Sequence, residues 1–169
     1  MNIIRRACGL VALAGVLGLS ACGFHLRGSN GEANLPFKTL YLAVGDNSPL
    51  GIELKRNIRA NGGTEIVTDL KLADARLEVL GEVRDKVIQS LNSQGRIRLY
   101  TLYYRLNFRV RGKNDADLLA PTQITLKRDI SFNESQVLAK EAEEALLYRD
   151  MQTDLVQQIL RRLAAIKPT

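Results

Sequence analysis

Along the middle of the chain, apolar and polar residues alternate. Leu77, Val79, Gly81 and Val83 are interleaved with Arg76, Glu78, Glu82 and Arg84. Further on, Leu102, Tyr104, Leu106, Phe108 and Val110 are interleaved with Tyr103, Arg105, Asn107, Arg109 and Arg111. A last run sets Ile124, Leu126, Ile130 and Phe132 against Gln123, Thr125, Lys127 and Asp129. Turn-forming stretches, Asn92-Ser93-Gln94-Gly95 and Gly112-Lys113-Asn114-Asp115, separate the three. A period of two, repeated this way, predicts an antiparallel meander with one apolar and one polar face. Ile97 and Leu99 break the phase of the second run, which predicts a bulge or an excursion beyond the sheet.

The flanking segments follow other periods. Thr39 to Val44 reads as a first strand. Ser48 as cap and Pro49 at the first helical position open a helix whose Leu50, Leu54 and Ile58 recur four apart. Asn61-Gly62-Gly63 stops that helix, and Glu65 to Thr68 is a short extended piece. The chain closes on a long helix from about Gln136 to Ile166, capped by Asn133 or Ser135. Its apolar stripe is Leu147, Met151, Leu155, Ile159 and Leu163, widened by Val156 and Leu160. The order β-α-β-β-β-α predicts an α+β, two-layer fold: a mainly antiparallel four-stranded sheet with both helices packed on one face.

The N-terminus is not part of that fold. Arg5 and Arg6 precede an apolar run from Ala7 to Leu19, too short for a hydrocarbon core that needs about 20 residues. A basic start, a short apolar segment and small residues describe a secretory signal. Leu19-Ser20-Ala21-Cys22 resembles the bacterial lipobox, in which the cysteine sulfur takes a diacylglycerol, cleavage occurs before it, and the new amine is acylated. Residues 1–21 are then the removed signal, 22–34 a lipidated start and Gly-rich tether, and 35–169 one α+β domain. Cys8 leaves with the signal and Cys22 is alkylated, so no thiol remains for a disulfide, zinc or cysteine catalysis. Several acyl chains on Cys22 satisfy the need for more than one lipid signal in a stable anchor.

Charge and motif content narrow the function. The formal net charge of +6 stays positive without Arg5 and Arg6, which at an envelope surface favours anionic head groups; an exported protein does not meet nucleic acid. His25, the single histidine, lies three residues from Cys22, and no nucleophile, phosphate-loop or metal-ligand motif occurs. This predicts no enzyme activity, no metal and no cofactor beyond the lipid on Cys22. Glu141, Glu143 and Glu144 read as a solvated face that favours a helix start. Arg96 and Arg98 flank exposed Ile97 beside the first meander turn, and Lys140 lies in the first turns of the last helix. Arg105, Arg109, Arg111 and Lys127 line the sheet face away from the helices. Each cation alone reads as solvated surface; grouped at a strand tip and a helix start, they suit phosphate oxygens.

Cys22-Gly23-Phe24-His25-Leu26-Arg27, together with Leu138-Ala139-Lys140 and Glu144 to Met151, resembles the LptE family, the outer-membrane lipoproteins of the lipopolysaccharide-assembly translocon. The resemblance covers the whole mature chain. It implies a non-enzymatic plug in the lumen of a β-barrel partner, LptD, that assists the barrel's assembly and binds lipopolysaccharide, held at the outer membrane by its lipid. It implies lipopolysaccharide contacts at Lys140. The family's tip arginine has no positional match here, and Arg96 and Arg98 stand in for it by location. A general envelope lipoprotein, acting as a periplasm-facing adaptor or chaperone without glycolipid binding, is the alternative.

Overall fold

The computed structural model describes residues 35–45 and 47–167. The signal segment, Cys22, His25 and the tether lie outside the described residues. The elements are β1 (Thr39–Ala43), α1 (Pro49–Asn61), β2 (Glu65–Val67), β3 (Ala75–Leu91), β4 (Ile97–Gly112), β5 (Asp117–Ser131) and α2 (Val137–Ala164). Short 3-10 turns at Leu70–Leu72 and Glu134–Gln136 precede β3 and α2.

Local chemistry explains these boundaries. Ser48 sits in the extended region, and its hydroxyl accepts from the Gly51 N–H, with Pro49 opening the helix as expected. Gly62, at φ 67°, ends α1 in a conformation that costs glycine no steric penalty. Asn92 Oδ1 accepts from the N–H groups of Gln94 and Arg96 and so folds the β3–β4 turn. Asn133 caps the 3-10 turn that leads into α2 rather than α2 itself. At the other end, the Asp74 carboxylate accepts from the N–H groups of Lys38 and Thr39 and pins the start of β1.

The sheet has five strands in the order β2-β1-β3-β4-β5, one more than the alternation predicts. The added strand is the Glu65–Val67 piece. It runs parallel to β1, and β1 is also parallel to β3, while β3, β4 and β5 form the expected antiparallel meander. A strand of three residues carries too little pattern to declare itself; pairing with β1 decides it. Both helices contribute to one core. Leu50, Leu54 and Ile58 of α1 meet Met151, Leu155, Val156, Ile159 and Leu163 of α2 over Leu77, Leu102, Leu106 and Phe108. Pro121 lies in β5, an edge strand, where its missing N–H forfeits no ladder bond.

One register feature overturns part of the predicted alternation. Val79 pairs with Phe108 and Gly81 with Asn107, leaving Leu80 as an extra residue in β3. A one-residue insertion exchanges the two faces for everything beyond it. Glu82, Arg84 and Lys86 therefore stand opposite Leu106, Tyr104 and Leu102 on the helix side. Val83, expected on the apolar face, is 49% exposed on the other side. The predicted irregularity near Ile97 and Leu99 is also present, as register shifts between Ile88 and Leu91 against that end of β4.

Candidate functional site

The long strands β3 and β4 run on past the part of the sheet that the core covers, and their turn reaches the start of α2. Two hollows meet there. The outer, of about 410 Å3, is lined by Arg96, Ile97, Arg98, Phe132 and Glu134, among others. The inner, of about 50 Å3, is lined by Lys86, Tyr100, Phe132, Lys140 and Glu144, among others. Phe132 belongs to both, so the fold brings Lys140 to the same end as Arg96 and Arg98. Tyr100 and Phe132 form the apolar wall, edge to face with ring centres 5.5 Å apart. Ile97 proves half-buried against this wall rather than exposed. The exposed apolar residues of this end are Ile88, Leu91, Val137 and Leu138, the last 83% accessible.

Three of the four cations here, Lys140, Lys86 and Arg96, are not free surface charges. Lys140 Nζ donates to Ser131 Oγ and to Glu143 Oε2, each at 2.9 Å. It thus gains local partners although it lies at the helix end that disfavours a cation. Lys86 Nζ lies 2.5 Å from Glu144 Oε2 and 4.4 Å from the centre of the Tyr100 ring. Arg96 Nη1 pairs with Glu134 Oε2 at 3.2 Å. Glu143 and Glu144, read from the sequence as a solvated helix face, are counter-ions to these lysines. The end is amphiphilic: aromatic and aliphatic surface beside cations, each of these three holding a carboxylate.

Lys86 is the residue that the sequence reading missed. Straight alternation through Gly81 assigns it to the outer face; the Leu80 bulge carries it under α2. The signal was a glycine within a strand pattern, which marks a bulge. Arg84, displaced the same way, stacks on Tyr104 at 4.5 Å and donates to Gln152 Oε1 at 3.0 Å, joining β3 to α2.

The outer face of the sheet carries Arg105, Arg109 and Arg111 as expected, but interleaved with acids. Arg105 pairs with Asp85, Arg109 with Glu78, and Arg111 with Asp115. Val83 and Val87 are exposed among them. Among the described residues, no three His, Cys, Asp or Glu groups are placed to hold a metal ion. No described helix is long and apolar enough to cross a membrane, which leaves strands aside.

Residues 37–163 match the family model for LptE, described as lipopolysaccharide-assembly. The chain belongs to the LptE family. An LPS-assembly lipoprotein LptE of Pectobacterium atrosepticum is 30% identical over 166 residues, 96% of this chain and 87% of that protein. The LptE of Yersinia pestis is 25% identical over 159 residues, 93% and 74% of the two chains. Among solved structures, an uncharacterized lipoprotein B from Nitrosomonas europaea is 37% identical with a TM-score of 0.73, over 85% of this chain and 91% of that one. A rare lipoprotein B from Shewanella oneidensis shares the fold, with a TM-score of 0.67 at 24% identity, over 75% and 94% of the two chains. The LptE family is thus one of lipoproteins named for lipopolysaccharide assembly, and the five-stranded α+β domain described above is its fold here.

Proposed function

We propose that this chain is the non-enzymatic lipoprotein subunit of the outer-membrane lipopolysaccharide translocon. Anchored through acylated Cys22, it plugs the lumen of the LptD barrel, assists the barrel's assembly and binds lipopolysaccharide as it is inserted at the cell surface. The observation that carries the binding half is the amphiphilic end, where Lys140, Arg96 and Arg98 gather around Tyr100 and Phe132 beside exposed Leu138. A phosphorylated glycolipid presents anionic phosphates next to packed acyl chains, and this surface offers a partner for each. The barrel half is supported by the opposite sheet face, whose arginine–carboxylate pairs suit the polar interior of a barrel.

Affinity purification from detergent-solubilised outer membrane tests both halves. The wild type is expected to retain a stoichiometric large barrel protein and lipopolysaccharide. Lys140→Asp with Arg96→Asp keeps the barrel and loses the lipid. Two charge-assisted contacts at about 1.5–3 kcal/mol each, discounted for exposed Arg96, correspond to a roughly ten- to hundredfold weaker affinity. Undiminished lipid in the double variant removes the binding site, and a soluble periplasmic partner in place of the barrel removes the plug.

A further inference from the structure

The inner hollow has a construction that simple surface pairing does not need. Two lysines from distant elements, Lys86 on β3 and Lys140 on α2, line the same space of about 50 Å3. By the ~10–15 Å3 of such volume that one water occupies, this is room for a few waters or for the oxygens of one small anion. Each lysine has two holds of different kinds. One is neutral: the Tyr100 ring under Lys86, and the Ser131 hydroxyl against Lys140. The other is an anion carried by α2: Glu144 for Lys86 and Glu143 for Lys140. The neutral holds belong to the sheet and keep the ammonium groups in place whatever the glutamates do. The anionic holds sit on long side chains, Glu143 47% and Glu144 23% exposed, so both pairs are reached by water, the Glu143 pair more openly. Pairs of this exposure are worth little, so a better anion replaces them readily. A phosphate monoester is better on two counts, with a charge of about −1.5 to −2 near neutral pH and three oxygens that can bridge two ammonium groups.

We infer that Lys86 and Lys140 form a two-lysine phosphate seat and that Glu143 and Glu144 are its resident stand-ins, displaced when a lipid phosphate enters. This rests on the lipid-binding reading above and adds to it a fourth cation, Lys86, and a release mechanism. The carboxylates return to the lysines as phosphate departs, so the site exchanges one set of ion pairs for another. Bare cations never face solvent, and the cargo is held only moderately tightly, as suits a protein that must pass it on.

Carboxylates that compete with the ligand have a distinctive signature: removing them tightens binding. The full-length protein in detergent is titrated with purified lipopolysaccharide and with the same material stripped of its phosphates, at fixed salt. Glu143→Gln and Glu144→Gln are each expected to bind the phosphorylated form about two- to fivefold more tightly, by the modest worth of an exposed pair. Lys86→Gln is expected to weaken it by a similar factor. None of the three should change binding of the stripped form, and inorganic phosphate should compete less well than the lipid. Thermal melting of each variant reports folding separately. Glutamine variants that melt like the wild type yet bind the phosphorylated lipid no better overturn the inference. So does an equal gain on the stripped lipid. If, alongside unchanged glutamine variants, Lys140→Asp abolishes binding, the inference falls while the lipid-binding reading above stands. A wild type that binds no lipopolysaccharide removes the underlying reading as well.

Discussion

Tyr104→Phe isolates the polar contact that Tyr104 of β4 makes with Glu82 and Arg84 of β3. The Tyr104 side chain is fully buried among apolar neighbours, and phenylalanine keeps that packing. What it loses is the hydroxyl, which donates to Glu82 Oε1 at 2.5 Å and accepts from Arg84 Nη2 at 2.8 Å. Hydrogen bonds to charged groups contribute about 1.5–3 kcal/mol each when their partners are left stranded. Here the partners are not stranded. Glu82 and Arg84 are 27% and 39% exposed and retain each other at 3.4 Å, so water restores part of the loss. The expected cost at pH 7 is therefore about 1–2 kcal/mol in total, which for a domain of this size lowers the melting temperature by roughly 3–8 °C.

The alkaline limb supplies an independent check. Burial, and then the bond to Glu82, push the Tyr104 phenol well above its ordinary range. A raised pKa in the folded state leaves the contribution intact below the unfolded value of about 10 and removes it as pH rises further, by about 1.4 kcal/mol per pH unit. The wild type should thus lose stability above pH 10 faster than Tyr104→Phe, and the gap between them should largely close near pH 11. Urea denaturation followed by far-ultraviolet circular dichroism at pH 7, 10 and 11 measures both effects. A gap below about 0.5 kcal/mol at pH 7, or one that does not narrow with pH, refutes the account of the hydroxyl.

Two further outcomes test the fold and the anchor. Leu77→Ala, at a fully buried core position before the bulge, should cost about 2–5 kcal/mol; Val83→Thr, beyond it on the open face, should stay within about 0.5 kcal/mol. Comparable losses at both, read from chemical denaturation, would mean that the strand keeps one phase throughout. Cys22→Ala should abolish acyl labelling and release the protein from the outer-membrane fraction, and persistence of the label would end the lipobox assignment.

The legible parts of this protein were those whose cause is local. The period of two in β4, the stripe Met151, Leu155, Ile159 and Leu163 on α2, the Ser48-Pro49 start and the Gly62 stop each follow from interactions within a few residues, and the structure keeps them. The resemblance at Lys140 was legible for the same reason, as a short run of neighbours in the chain. Tertiary structure decided what depends on counting between distant segments. Glu65–Val67 is a strand only because β1 lies alongside it. Leu80 is a bulge only because Asn107 follows Phe108 on the partner strand, and that single unpaired residue turns Val83 outward and Arg84 and Lys86 inward. The charge balance at the tip was hidden in the same way. Lys86 meets Glu144 from 58 positions away and Arg96 meets Glu134 from 38. Sequence alone therefore suggests a basic surface where the folded chain has a set of occupied ion pairs. Periodicity reports which residues can share a face, but a one-residue shift in register reverses the faces at no cost to the pattern, and only the packed sheet records where that shift occurs.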